Sequence, residues 1–162
     1  QNVDWEVELV VAIGKTTKDV SQNDAWDHVA GITVGQDISD RIVQLNVKPP
    51  QMSMGKSFDT FSPIGPVLVS KDSVKDVNDL GLTCDVSGER KQASRTSNLI
   101  FSVPKLIEYI SSILTMHPGD LIFTGTPDGV GLASGTYLKD GDVIVSEIEG
   151  LGTLTNRCVQ VR

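Results

Sequence analysis

Two acids stand two positions apart in the run Val3-Asp4-Trp5-Glu6-Val7-Glu8-Leu9. On a strand, side chains two apart share a face, so Glu6 and Glu8 project together, opposite Trp5, Val7 and Leu9. Neighbouring carboxylates repel unless a cation or a shared proton relieves them. A solvated edge face is the plain alternative. Val10 and Ala12 nevertheless continue the acidic face with apolar side chains. That pattern describes a strand covered on both sides at one end, with its carboxylates facing a cleft at the other. Asp37 closes a second strand pattern, Gly35-Gln36-Asp37. A single acid at a strand end is commonly a cap, here for a turn through Ile38 to Gln44. Joined to Glu6 and Glu8, it completes an all-oxygen triad suited to a hard cation such as Mg²⁺ or Mn²⁺. Spacing alone does not join them.

Two loops carry further candidates. Gly55-Lys56-Ser57-Phe58-Asp59-Thr60-Phe61 is a polar turn with one lysine. It imitates the end of a phosphate loop, but Pro50 or Gln51 stands where the earlier glycine belongs, which excludes nucleotide binding of that kind. A surface pair of Lys56 with Asp59 is the simple alternative. Thr124-Gly125-Thr126-Pro127-Asp128-Gly129-Val130-Gly131 departs from the dinucleotide fingerprint, because Ser134 replaces its last glycine and no helical pattern follows. Either a structural turn or a loop whose N–H groups approach a carboxylate ligand fits it. His28 and His117 lack a nucleophile or ligand partner at a telling spacing, so both read as structural or surface residues, and a Ser-His-Asp hydrolase is hard to build here. Cys84 and Cys158 lack any zinc spacing and read as buried, reduced thiols, with a disulfide between them as the alternative.

The elements that must position these groups are short. Alternation from Val3 to Ile13 predicts a strand. Ser21, with Asp24 three residues on, opens a short helix through Trp26, Val29 and Ala30, ended by Gly31. Ile32 to Asp37 predicts the next strand, and Val67-Leu68-Val69 another. Leu82–Val86 and Lys91-Gln92 flank Ser87-Gly88 as a hairpin. Leu106, Ile107, Ile110, Ile113 and Leu114 predict a helix from about Val103 to Leu114, with Ser102 as N-cap and Pro104 in its first turn. Leu121–Phe123 and two segments between Gly141 and Val161 complete the strands. With 162 residues and no repeat or linker, one domain follows.

Composition sets the partner classes. A formal net charge of -7 argues against nucleic acid and anionic membranes, and 5% aromatics are too few for a base-stacking surface. No apolar run approaches the roughly 20 residues of a membrane span, and no signal-peptide layout opens the chain, so the cytoplasm is expected. The chain starts without Met, almost inside a strand, which predicts a piece of something longer.

Taken in order, Asp4-Trp5-Glu6-Val7-Glu8-Leu9, Val29-Ala30-Gly31 through Asp37-Ile38-Ser39-Asp40-Arg41, Gly55 through Phe61, Pro118-Gly119-Asp120 and Thr124-Gly125-Thr126-Pro127 resemble the C-terminal catalytic domain of the fumarylacetoacetate hydrolase family. The resemblance covers residues 1–162 and implies a mixed, β-rich fold: a fumarylacetoacetate hydrolase-like β-roll with a few short helices, usually homodimeric. It implies Mg²⁺, or Mn²⁺ or Ca²⁺, held by Glu6, Glu8 and Asp37, with Lys56 as the catalytic lysine. Arg41 and Gln44 match polar residues of the active-site turn, and Gly125 and Thr126 match the loop that binds a substrate carboxylate or carbonyl. The implied substrates are 2-oxo acids with a second carbonyl or enol nearby: acylpyruvates, oxaloacetate and ring-cleavage products of aromatic degradation. A cation chelated by adjacent oxygens favours enolate formation in C–C hydrolysis, isomerisation or decarboxylation. Family hydrolases place a water-activating His–Glu pair on an N-terminal lid, to which nothing here corresponds. A preceding lid is therefore expected; a member with only enolate chemistry, or a silent metal-stabilised scaffold, are the alternatives.

Overall fold

The computed structural model describes residues 2–160. The acidic segment enters as a two-residue strand, β1 (Val3–Asp4), and continues after Trp5 and Glu6 as β2 (Val7–Ile13). The chain turns through a 3₁₀ segment, Ala25–His28, into β3 (Val29–Gln36), then β4 (Ser39–Asp40), helix α1 (Arg41–Leu45) and β5 (Ile64–Val69). The hairpin β6 (Gly81–Val86) and β7 (Glu89–Arg95) precedes α2 (Val103–Ile113), β8 (Leu121–Phe123) and a single turn α3 (Gly131–Ser134). A second hairpin, β9 (Val143–Ile148) and β10 (Gly152–Arg157), follows.

Two antiparallel sheets result, with strand orders β5-β3-β2-β8 and β10-β9-β6-β7, and β1 pairs with β4 as a separate ribbon. β2 packs on β6 and β3 on β9, so the sheets lie face to face. Trp5, Val7, Leu9, Val11 and Ile13 enter the shared core with Leu82, Cys84, Val86, Ile144 and Ile148. Every residue of β2 is buried, as the apolar continuation through Val10 and Ala12 implied. The mixed, β-rich architecture with few short helices is thus the observed one.

Several local expectations change. The long first strand breaks at Trp5 and Glu6, because three successive N–H groups turn to side chains: Trp5 to Asp4 Oδ1 (2.8 Å), Glu6 to Gln36 Oε1 (2.8 Å) and Val7 to Gln92 Oε1 (3.0 Å). The helix expected from Ser21 is only the 3₁₀ turn, and Val29 already takes extended backbone to pair with Ile13. Val29 is β-branched and fits a strand better than a helix. Ser21 spends its hydroxyl on the Asp24 carboxylate (2.7 Å). Ser102 makes no side-chain cap, and Ile113 and Leu114 stay exposed. A one-turn helix does follow the glycine-rich loop, where no helical pattern was read. The Ser87-Gly88 turn has positive φ at both residues (50° and 84°), the primed geometry that suits strand twist.

Cys84 and Cys158 are both free thiols. Burial pushes the Cys84 thiol up to about 12, only partly offset by its hydrogen bond from Gln36. The thiol is the unreactive form at any pH below that value. Cys84 is therefore expected to escape iodoacetamide at pH 8 in the native protein and react fully in denaturant, as read by peptide mass spectrometry. No described helix is long and apolar enough to cross a membrane.

Candidate metal and substrate site

The strand break aims the acids. Beyond the Val7–Gln36 pairing of β2 with β3, the Asp37 N–H donates to the Glu6 carbonyl (2.9 Å), so residues 31 apart in sequence become neighbours. Carboxylate oxygens of Glu6, Glu8 and Asp37 lie within 4.8 Å of one another, which joins the triad that spacing left open. Asp37 does not cap the following turn. Asp40 does, accepting from the N–H groups of Ile42 (2.9 Å) and Val43 (3.3 Å).

Lys56 arrives on the 3₁₀ turn Met54–Lys56. Its Nζ donates to Glu6 Oε2 (2.9 Å) and to Asp37 Oδ2, in place of the anticipated pair with Asp59. Gly55 makes this approach possible: a Cβ there would stand 2.4 Å from Gln44 Cγ and 2.8 Å from the Asp40 carbonyl. Burial pulls the Lys56 ammonium down, but its bonds to Asp37 and Glu6 outweigh that and hold it above the usual lysine range. It is fully charged at neutral pH.

Arg41 and Gln44, on α1, are both buried. Arg41 Nη2 reaches Glu6 Oε1 (2.5 Å) and Asp4 Oδ2 (2.8 Å), while Nη1 donates to Gln44 Oε1 (3.0 Å). Gln44 in turn donates to the Met52 carbonyl (3.1 Å), tying α1 to the loop before Lys56.

Glu8 is different. Among the described residues no cationic side chain comes within ion-pairing distance of it; its sole protein partner is the Gly125 N–H (2.7 Å). Burial, reinforced by Asp37 and Glu6 and opposed by the Gly125 bond and Lys56, pushes its carboxyl up to about 8. A buried acid short of positive charge, beside two others, is the donor set a hard cation would complete. The residues present fit such an ion.

The glycine-rich loop borders this cluster. Thr126 donates from Oγ1 to the Val7 carbonyl (2.9 Å) and accepts from Gln92 Nε2 (2.9 Å). Gly129 has φ +95°, and a Cβ there would meet the Lys91 carbonyl at 2.1 Å; its own carbonyl accepts from the Trp5 indole (3.0 Å). Gly125 and Thr126 also line a groove of about 240 Å³ with apolar walls such as Leu82, Leu99 and Phe101, which the triad and Lys56 do not line. His28 shares a hydrogen bond with Thr17 (3.0 Å), and the His117 N–H donates to Asp120 (2.7 Å).

Hydrogen bonds join Glu6, Asp37, Lys56, Arg41 and Gln44 into one network. Glu8, held by the Gly125 N–H, stands beside it within the triad without a bond to it, and Thr126 is anchored separately to the Val7 carbonyl and Gln92. Sequence reasoning left Asp4, Gln36 and Gln92 without a role, although each is buried and bonds the acidic segment. Their one advance signal is a polar residue set within an otherwise strand-like apolar run.

Comparison with known proteins identifies the family. Residues 1–159 match the model described as fumarylacetoacetate (FAA) hydrolase C-terminal. The chain belongs to the fumarylacetoacetate hydrolase family. Within that family, an oxaloacetate tautomerase of Bos taurus, mitochondrial by name, is 48% identical over 161 residues, covering 98% of this chain and 51% of its own. The chain thus spans about half the length of the curated relatives it matches. The crystal structure of a 2-hydroxyhepta-2,4-diene-1,7-dioate isomerase from Mycobacterium marinum superposes with a TM-score of 0.89 at 43% identity, over 98% of this chain and 59% of the other. That of a fumarylpyruvate hydrolase from Pseudomonas aeruginosa, in complex with Mn²⁺ and pyruvate, gives 0.89 at 37% identity, over 98% and 66%.

Proposed function

We propose that residues 1–162 are the catalytic domain of a divalent-metal-dependent enzyme acting on 2-oxo or β-diketo acids through enolate chemistry. The observation that carries this reading is the convergence of Glu6, Glu8 and Asp37 within 4.8 Å, with Lys56 bonded to two of them. In it the three acids hold a divalent cation, Mg²⁺ physiologically, with Mn²⁺ or Ca²⁺ as substitutes; the Mn²⁺ complex of the Pseudomonas aeruginosa relative supports a divalent ion. When bound, the cation acts as a Lewis acid on adjacent carbonyl and carboxylate oxygens.

The chain's own groups do the rest in this reading. Lys56 is the catalytic residue, a fixed ammonium where negative charge develops on the substrate oxygen. Arg41 and Gln44 orient the acidic wall and the substrate turn. Gly125 and Thr126 take the substrate carboxylate or carbonyl. C–C hydrolysis of acylpyruvate-type or aromatic-degradation intermediates then needs water activation, which we assign to a preceding lid segment. The relatives' additional length leaves room for one. A second reading, isomerisation, tautomerisation or decarboxylation of an oxaloacetate-type acid, needs no such water and draws support from the Bos taurus relative's name. A homodimer belongs to the same reading. For compartment, composition fits the cytoplasm, whereas the Bos taurus relative is mitochondrial by name, and cell fractionation decides between them.

A panel of oxaloacetate, fumarylpyruvate and acylpyruvates, offered to the full natural protein with Mg²⁺ or Mn²⁺, tests the activity. We expect turnover of at least one, lost in EDTA and restored by excess metal. Turnover indifferent to EDTA contradicts the metal reading, and retained Mn²⁺ binding without turnover identifies a scaffold.

A further inference from the structure

Asp4 is fully buried, and its carboxylate has an unusually complete set of partners. Oδ1 accepts from the N–H groups of Trp5 (2.8 Å) and Gly131 (2.6 Å); Oδ2 accepts from the Leu132 N–H (2.9 Å) and from Arg41 Nε (2.9 Å) and Nη2 (2.8 Å). Gly131 permits this closeness, since a Cβ there would lie 2.7 Å from Asp4 Oδ1. The acid therefore locks three things together: the strand break before Glu6, the first turn of α3, and the Arg41 guanidinium that touches Glu6 Oε1.

We propose that Asp4 is a positioning residue for the cation site: it shares Arg41 with Glu6, so that Arg41 orients Glu6 without neutralising it. This rests on the metal reading above. Electrostatic balance gives the reason. In the connected group of Asp4, Glu6, Asp37, Arg41 and Lys56, plus Glu8 beside them, four carboxylates face two fixed cations. With Glu8 ionised, as cation binding requires, two negative charges are left over, the charge of one divalent cation. Asp40, the other buried acid nearby, spends its carboxylate on the α1 N-terminus. Without the Asp4 charge, Arg41 loses the acceptor of its Nε, and the planar fork is free to close on Glu6 with two hydrogen bonds. A ligand oxygen is then occupied and the surplus falls by one. A group that merely braced the fold would not show this dependence on the charge of Arg41.

Mn²⁺ binding to the full natural protein, read from the free-ion EPR signal, tests the inference. Asp4→Asn should weaken Mn²⁺ by about 10–100-fold, the usual cost of an outer-shell partner. Adding Arg41→Gln to Asp4→Asn should recover most of that loss, because the unbalanced cation goes with its lost partner. Wild-type affinity in Asp4→Asn, or a double variant no better than the single, overturns the inference while leaving the metal reading intact. If Asp4→Asn alone does not fold, the double variant decides: affinity near wild type supports the shared-charge role, and a tenfold loss overturns it. A wild-type protein that binds no Mn²⁺ overturns the metal reading and this inference with it.

Discussion

Glu8→Gln is expected to lower metal-dependent turnover by more than about 100-fold, since even outer-shell partners of a metal cost about 10–100-fold. The same variant should melt no lower than the native protein in EDTA. The reason lies in its surroundings: Glu8 is buried, unpaired by any cationic side chain among the described residues, and held by the Gly125 N–H alone. A glutamine oxygen can still accept that bond, while the neutral amide removes the cost of keeping a buried carboxyl protonated in the cation-free fold at neutral pH. Activity and stability therefore separate at this position. Kinetics with saturating Mg²⁺ and calorimetry in EDTA read the two effects; unchanged turnover would place the cation elsewhere.

Lys56→Met separates binding from chemistry in the opposite sense. Turnover should fall by about 10²–10³-fold, the typical loss when one preorganised donor to a developing oxyanion is removed. Mn²⁺ binding should persist or tighten, because the ammonium that bridges Glu6 and Asp37 no longer competes for their oxygens. In EDTA the variant should melt lower than the native protein, since two partly buried carboxylates lose a partner. A variant that loses Mn²⁺ binding along with activity would show that Lys56 serves the fold of the triad rather than the reaction.

The parts of this site that were legible in sequence share one property: they depend on local period. Alternation places Glu6 and Glu8 on one face, and the apolar run through Val10 and Ala12 marks β2 as covered on both sides. The Ser87-Gly88 hairpin, the body of α2 and the late strands follow from equally local signals. What joins Asp37 to Glu6 is the register of β2 on β3, and what brings Lys56 is a turn 50 residues away from Glu6; neither has a local trace. Only the ordered set of motifs, read as a family resemblance, supplied those connections.

The buried polar frame escaped even that. Gln36 and Gln92 use their side-chain amides where a strand would use its neighbour's backbone, and Gln92 links the Val7 N–H to Thr126 and the Pro127 carbonyl. The Gln92 bonds, and those from Gln36 Nε2 to Cys84 and Ser146, cross from one sheet to the other, so their partners are set by tertiary packing. The 3₁₀ turn at Ala25–His28 failed for a related reason: pairing of Val29 with Ile13 outcompeted a helical periodicity only a few residues long.

The most direct measurement of the central claim is crystallographic. Crystals of the full natural protein grown with Mn²⁺, measured at a wavelength where manganese scatters anomalously, locate the ion without reference to activity. The account predicts one strong peak between Glu6, Glu8 and Asp37, at about 2.0–2.2 Å from their oxygens, with Lys56 displaced from at least one of them. A fully occupied Mn²⁺ elsewhere, with Lys56 still bridging Glu6 and Asp37, would contradict it.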